Sequence, residues 1–216
     1  SKDKTISIIK EYGAKNLVIH EQKSSGIYGA LNEGMKLSNG SIIGILHSDD
    51  EFIDNDVIKI VTEKFLQNDL DVLFSNIFYT KKNDTSKIIR KWRSDLKEGI
   101  QSSDNLNKKI NNGWMPPHTA IFFKKSLLKK VGYYDESFII SSDYDFIIRM
   151  FRNSDLKIFF LDKFTVKMRA GGISNKNLKN IFLKIKEDFN IMKKFKLNAF
   201  TCILMKNLSK IKQFFI

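Results

Sequence analysis

The chain has 216 residues, 42% hydrophobic and 28% charged, which supports one substantial core and excludes a disordered protein. Its single cysteine, Cys202, excludes an intrachain disulfide and points to a reducing, cytoplasmic compartment, and its longest apolar run, "AFTCILM", is far short of the roughly 20 residues of a spanning helix. The formal net charge is +13, but ten Lys against only Glu187 and Asp188 place a net +8 in residues 176–216, so the excess is a property of the C-terminal stretch.

In chain order, "TISIIKEYG" predicts a helix, "NLVIHEQ" a strand, "GIYGALNEGMKLS" a helix and "SIIGILHS" a strand. "DNDVIKIVTEKFLQN" follows as an amphipathic helix with Asp54 placed to cap it, then "DVLFSNIFYT" as a strand. This alternation predicts an α/β fold with a mostly parallel central sheet flanked by helices, in which ligands bind beyond the carboxyl ends of strands. Residues 80–117 are polar, with a short strand expected near "SKIIRKW" and a loop at "NNGWMPPH". Beyond them "TAIFFKK" reads as a strand, "SLLKKVG" as a short helix closed by Gly132, "SSDYDFIIRMFRNS" as a helix capped by Ser141 or Ser142, and "LKIFFLD" and "FTVKMR" as two strands.

A composition shift near residue 175 separates a domain, 1–175, from a basic helical tail, 176–216. In the tail Ile181, Ile185, Phe189, Met192 and Phe195 recur at helical spacing with lysines between. Either this helix packs on the domain, the reading adopted for its first half, or it presents a basic amphipathic surface to anionic lipid. Charge gathered in an amphipathic tail argues against nucleic acid, which needs aromatic residues interleaved with a basic stripe.

Two acidic sites stand out. Asp49 and Asp50 end an apolar strand, and adjacent like charges are costly unless something positive comes between them. They serve either as favourable charge before a helix or as a cation ligand with a neighbouring carboxylate that orients a sugar or phosphate. Asp143 and Asp145 in "SSDYDF" are either first-turn acids, with Asp145 paired to Arg149 at i,i+4, or hold a general base at Asp143.

The ordered set "SKDKT", "SGIYGALNEGMKLSNGSIIGILHSDDEF" and "PPHTAIFFKKSLLKKVGYYDESFIISSDYDFIIRMF" resembles family 2 glycosyltransferases of the GT-A fold, of the bacterial surface-polysaccharide type, over about residues 1–175. The resemblance implies inverting transfer from a nucleotide-diphosphate sugar, a UDP-sugar, to a hydroxyl of a glycan; the lipid-facing reading of the tail would suit a lipid-linked acceptor and a cytoplasmic enzyme peripheral on the inner face of the plasma membrane. It implies that Asp50 ligates Mg²⁺ or Mn²⁺, that Asp49 touches the donor ribose or shares the metal's shell, and that Asp143 is the catalytic base. Asp3, Gly26, Asn32 and His118 match donor-side segments; capping of the first helix by Asp3, an exposed Asn32 and a structural His118 are the alternatives. Trp114, beside Met115, and Asp145 are the acceptor-side candidates, against simple packing and the Arg149 pair. The glycines of "RAGGIS" match a recurring loop. The family's usual first strand would lie before Ser1, so the sequence reads as N-terminally truncated. An inactive remnant and a sugar-nucleotide pyrophosphorylase are the competing readings.

Overall fold

The computed structural model describes residues 3–171 and 177–213. In chain order the elements are α1 (Thr5–Tyr12), α2 (Gly26–Leu37), β1 (Ile42–Gly44), β2 (Glu51–Phe52), α3 (Val57–Asn68), β3 (Val72–Lys81), β4 (Asp84–Trp92), β5 (Gly99–Ile100) and α4 (Ser103–Asn111). A 3-10 turn (His118–Ala120) leads into β6 (Ile121–Lys124), followed by α5 (Leu128–Val131), α6 (Ser142–Phe151), β7 (Ile158–Arg169), α7 (Leu178–Lys194) and α8 (Ala199–Lys212).

The sheet runs β1-β6-β3-β7-β2, with β4 on the far half of β3 and β5 on β7. Its strands read as continuous apolar runs because both faces are covered, and the faces separate at period two. Val72 and Phe74, Ile121 and Phe123, and Ile158 and Phe160 enter the large core under α2, α4, α5, α6 and α7. Leu73, Phe122, Phe159 and Leu161 point the other way, onto Val57, Val61 and Phe65 of α3.

Three expectations are corrected. The sheet is mixed: β3 and β7 pair in parallel, and the other pairings are antiparallel. The segment "NLVIHEQ" forms no strand, because a strand exists only through a ladder and no described strand lies beside it; Leu17, Val18 and Ile19 are exposed there. The two strands expected after α6 are one, β7, whose register with β3 jumps from Ser75↔Leu161 to Asn76↔Phe164. Asn76 fills that irregularity, donating to Asp162 Oδ1 at 2.9 Å and accepting the Ser94 N–H at 2.9 Å.

The tail is divided from the domain by composition but not by packing. Ile191, Met192, Leu197 and Cys202 belong to the same core as the sheet. The buried positions of α7 all fall from Glu187 on, while Ile181 and Ile185 in the first half are exposed, the reverse of the expectation; Phe189, farther along, is exposed too. Asp188, buried, accepts from Lys184 and Lys206 at 2.8 Å each, and Lys206 Nζ lies 4.0 Å from the centroid of the Tyr144 ring. Gly113 packs directly against the α8 backbone: its φ is +78°, and a methyl group there would lie 2.8 Å from the Cys202 Cα and overlap its carbonyl. Gly113→Ala is therefore expected to destabilise the protein by about 2–3 kcal/mol through strain and overpacking, read as a lowered urea midpoint.

Candidate active site

Beyond β1 the chain passes buried Ile45 and reaches a turn closed by the Asp50 N–H, which donates to the His47 carbonyl at 3.0 Å. The turn leaves Asp49 exposed and Asp50 directed inward. Both Asp50 carboxyl oxygens are buried, and neither has a hydrogen-bond partner among the described residues. Burial pushes this carboxyl up to about 7 and the charge of Asp49 adds to the shift, while the backbone N–H of Arg169 at the end of β7, and then its charge, offset part of it without closing a well-formed hydrogen bond. A buried carboxylate without partners is costly, and hard oxygen donors in that state suit a divalent cation. Among the described residues no three His, Cys, Asp or Glu gather as a metal cluster, so a cation held by Asp50, with Asp49 beside it, needs further oxygens from phosphate or water.

Asp143 stands in the first turn of α6, half-buried. Its Oδ1 accepts the Tyr144 N–H at 2.8 Å and lies 3.3 Å from the Tyr28 hydroxyl. The single Tyr28 O–H proton goes chiefly to the Ile140 carbonyl at 2.6 Å, so its contact with Asp143 is the weaker of the two. Burial first, and the Asp143 charge second, push the Tyr28 hydroxyl far up, which keeps it a neutral donor.

A row of rings joins the two carboxylate sites. Tyr28 and Tyr134 have centroids 5.4 Å apart, Tyr134 and His118 6.3 Å, and His118 and His47 5.2 Å. Burial pushes His118 down to about 4 against the opposing pull of Asp143, and its Nε2 is buried with no partner among the described residues. His47 is also pushed down by burial, with Asp49 and Asp143 opposing. Both imidazoles are thus neutral near pH 7, able to hydrogen-bond a ligand without adding charge. Half-buried Tyr79 on β3 is another link: burial raises its hydroxyl, Arg90 opposes, and both Asp50 and Asp143 add to the rise.

The structure thus gathers Asp49, Asp50, Asp143 and His118. It gives the remaining candidates other surroundings. Asn32 is buried rather than exposed, with its amide committed to Tyr134 O at 3.0 Å, Glu136 Oε1 at 2.8 Å and the Tyr134 N–H at 2.9 Å, so it ties α2 to the loop before α6. Gly26 starts α2 with φ +76° and open space around it; the close approach falls at Gly29, where a Cβ would lie 2.7 Å from the Ser24 Cβ. Asp3 Oδ1 accepts the Thr5 N–H at 3.0 Å at the start of α1. Trp114 donates to the Ser94 carbonyl at 3.3 Å and sets its ring against Phe74 and Phe151, which is packing, as it is for Met115.

Asp145 is fully buried with both oxygens engaged, by Arg149 Nε at 2.8 Å and Lys194 Nζ at 2.7 Å, so it is an internal ion pair and not an acceptor contact. Residues 172–176, which include the second glycine of "RAGGIS", lie outside the described residues; Gly171 has φ +111°. Sequence reasoning passed over Tyr28, Tyr134, Tyr79 and Arg169. Of these Tyr28, Tyr134 and Arg169 carry a signal, since they lie in the α2 motif beginning at Gly26, in "YDESF" and in "RAGGIS".

The sequence matches the model of "Glycosyl transferase family 2" over residues 1–132. It is 29% identical over 177 residues to an uncharacterized glycosyltransferase of Methanocaldococcus jannaschii, covering 80% of this chain and 58% of that protein. It is 26% identical over 189 residues to a PGL/p-HBAD biosynthesis glycosyltransferase of Mycobacterium bovis, covering 85% and 68%. Among solved structures it is similar to S. aureus TarS 1-349 in complex with UDP-GlcNAc, with TM-score 0.64 at 18% identity over 89% of this chain and 55% of that one. The complex of TarS 1-349 with UDP gives 0.61 at 19% over 88% and 54%. The chain spans a little over half the length of the first of these relatives and of TarS 1-349.

Proposed function

Because this chain belongs to glycosyl transferase family 2 and has the GT-A fold, we propose that it transfers a sugar from a UDP-sugar to a glycan hydroxyl with inversion at the anomeric carbon. The observation that carries the reading is the unpartnered, inward-facing Asp50 carboxyl in the same site as Asp143. UDP-GlcNAc and UDP occupy the similar TarS structures, which supports a uridine-diphosphate donor.

Asp50 would hold Mg²⁺ or Mn²⁺, and Asp49 would lie beside it or on the donor ribose. Such a cation supplies charge neutralisation for a departing diphosphate. Asp143 takes the proton of the acceptor hydroxyl; the freed oxygen pair forms the new bond to the anomeric carbon as the bond to the diphosphate oxygen breaks, and UDP leaves with that electron pair. His118, neutral, donates or accepts a hydrogen bond at the bound sugar. Calorimetry of UDP binding with and without Mn²⁺ tests the donor site: metal-dependent binding is expected, and no binding under either condition overturns the reading.

A lipid-linked glycan as acceptor and a peripheral position on the inner membrane face are supported by the exposed face of α7. Leu178, Ile181, Phe182, Ile185 and Phe189 are all exposed and fall on one helical stripe. Lys179, Lys186 and Lys193, also exposed, recur every seventh residue alongside it. Apolar side chains flanked by a lane of lysines suit an anionic bilayer surface, whereas a second copy would set the same lysines against each other. Sedimentation with phosphatidylserine-containing vesicles is expected to carry the protein down, with phosphatidylcholine vesicles and Phe182→Ser/Phe189→Ser failing to do so. Equal recovery of both proteins with both vesicles sinks the membrane assignment.

A further inference from the structure

We infer that Glu187, on α7, is a positioning residue that sets Asp143 in place for proton transfer. The segment leading into α6 carries consecutive backbone N–H groups at Ile139, Ile140 and Ser141, and a helix start with such donors needs acceptors. Ser141, the expected cap, makes no side-chain cap bond. The acceptor comes from another helix instead: Glu187 Oε1 takes the Ile139 N–H at 2.8 Å, and Oε2 takes those of Ile140 and Ser141 at 2.9 Å each.

Glu187 is itself buried, so this carboxylate works where water competes little and its bonds are charge-assisted. The same three-residue segment is held from its carbonyl side. Ile140 O accepts the Tyr28 O–H, and Tyr28 reaches Asp143 Oδ1. Ile140 is thus gripped by Glu187 through its N–H and by Tyr28 through its C=O, three residues before Asp143. On the other flank, Lys206 of α8 covers the ring of Tyr144, the residue next to Asp143. The lysine-rich C-terminal helices therefore brace the start of α6 from both sides.

The inference rests on the reading of Asp143 as the base. Glu187→Gln keeps the length of the side chain but turns one acceptor into an NH₂ group facing backbone N–H donors, so the segment loses at least one bond and shifts. A base displaced by about 1 Å costs on the order of 100-fold in rate. The test follows UDP release from a panel of UDP-sugars with Mn²⁺, water serving as acceptor, together with UDP affinity by calorimetry, the melting temperature and amide exchange across 139–146.

For Glu187→Gln the expected result is a kcat at least tenfold lower with KM for the donor and UDP affinity unchanged, and faster exchange at 139–141. Tyr28→Phe, which loosens the same segment from its other side, is expected to show the same split. An unchanged kcat, unchanged exchange at 139–141, or a parallel fall of kcat, UDP affinity and melting temperature in both variants overturns the inference. The underlying reading fails separately: if Asp143→Asn releases UDP as fast as the wild-type chain, Asp143 is not the base, and if the wild-type chain releases none from any UDP-sugar, the UDP-sugar transfer reading itself fails; in either case the positioning role falls with it.

Discussion

Replacing Asp143 by Asn is expected to lower UDP-sugar turnover by roughly 10²–10⁴-fold, the usual contribution of a general base, while UDP affinity in Mn²⁺ stays within about twofold of wild type. The amide keeps the shape of the side chain and its acceptor oxygen, so the Tyr144 N–H and the Tyr28 O–H retain a partner and α6 starts as before. What is lost is the ability to take a proton. Both hydrogen bonds fall on Oδ1, which leaves the other oxygen free of them for the proposed base function. The contrast between chemistry and binding is diagnostic, because removing a group that merely shapes the site weakens binding as well. Turnover by Asp143→Asn at the wild-type rate assigns the base elsewhere, and Asp49 is then the next carboxylate to replace.

The three carboxylates at the centre of the site are legible in the sequence for a physical reason: each sits at the edge of a strongly patterned element. Ile42 to Ile45 form an apolar run that stops at His47, so the acids after it must lie at a strand end. Asp143 opens a segment whose apolar positions, from Tyr144 to Phe151, leave little choice but a buried helix. Asp145 shows the limit of the same logic. Its i,i+4 relation to Arg149 is visible in one dimension, but that Lys194 reaches it from 49 residues away is not.

Glu187 is harder still to read. In sequence it is one of two acids in a lysine-rich helix, and its partners are backbone N–H groups 46 to 48 residues earlier, which carry no side-chain signature. Strand direction is hidden for a related reason. Alternation of helix and strand suggests crossovers and hence parallel pairing, yet β6 lies antiparallel to both β1 and β3, in register Ile43↔Phe123 and Leu73↔Phe122. Period-two patterning reports which faces are buried, and it is silent on which way the neighbour runs.

Asp50→Asn is expected to do two opposite things: abolish Mn²⁺-dependent UDP binding and raise the melting temperature of the metal-free protein near pH 8. The first follows from exchanging an anionic ligand for a neutral amide at the buried carboxyl that no described residue satisfies. The second follows from the sign of proton linkage. Asp50 is raised from 3.8 to about 7 by burial and by Asp49, so the folded chain binds this proton more tightly than the unfolded chain does. Its contribution to stability is therefore fully present below about pH 4 and is lost as pH rises through about 7. Above that, the metal-free protein carries a carboxylate whose two oxygens are buried, a cost that Arg169 offsets in part. A gain of about 1 kcal/mol on removing the charge corresponds to about 2–4 °C for a chain of this size. The difference between variant and wild type is expected to shrink toward zero at pH 4. It should reverse at pH 8 when Mn²⁺ and UDP are both present, because only the wild-type chain then gains binding energy. A variant that melts lower than wild type at pH 8 without metal would mean that Asp50 has a structural partner, and the case for a cation at this turn would fail.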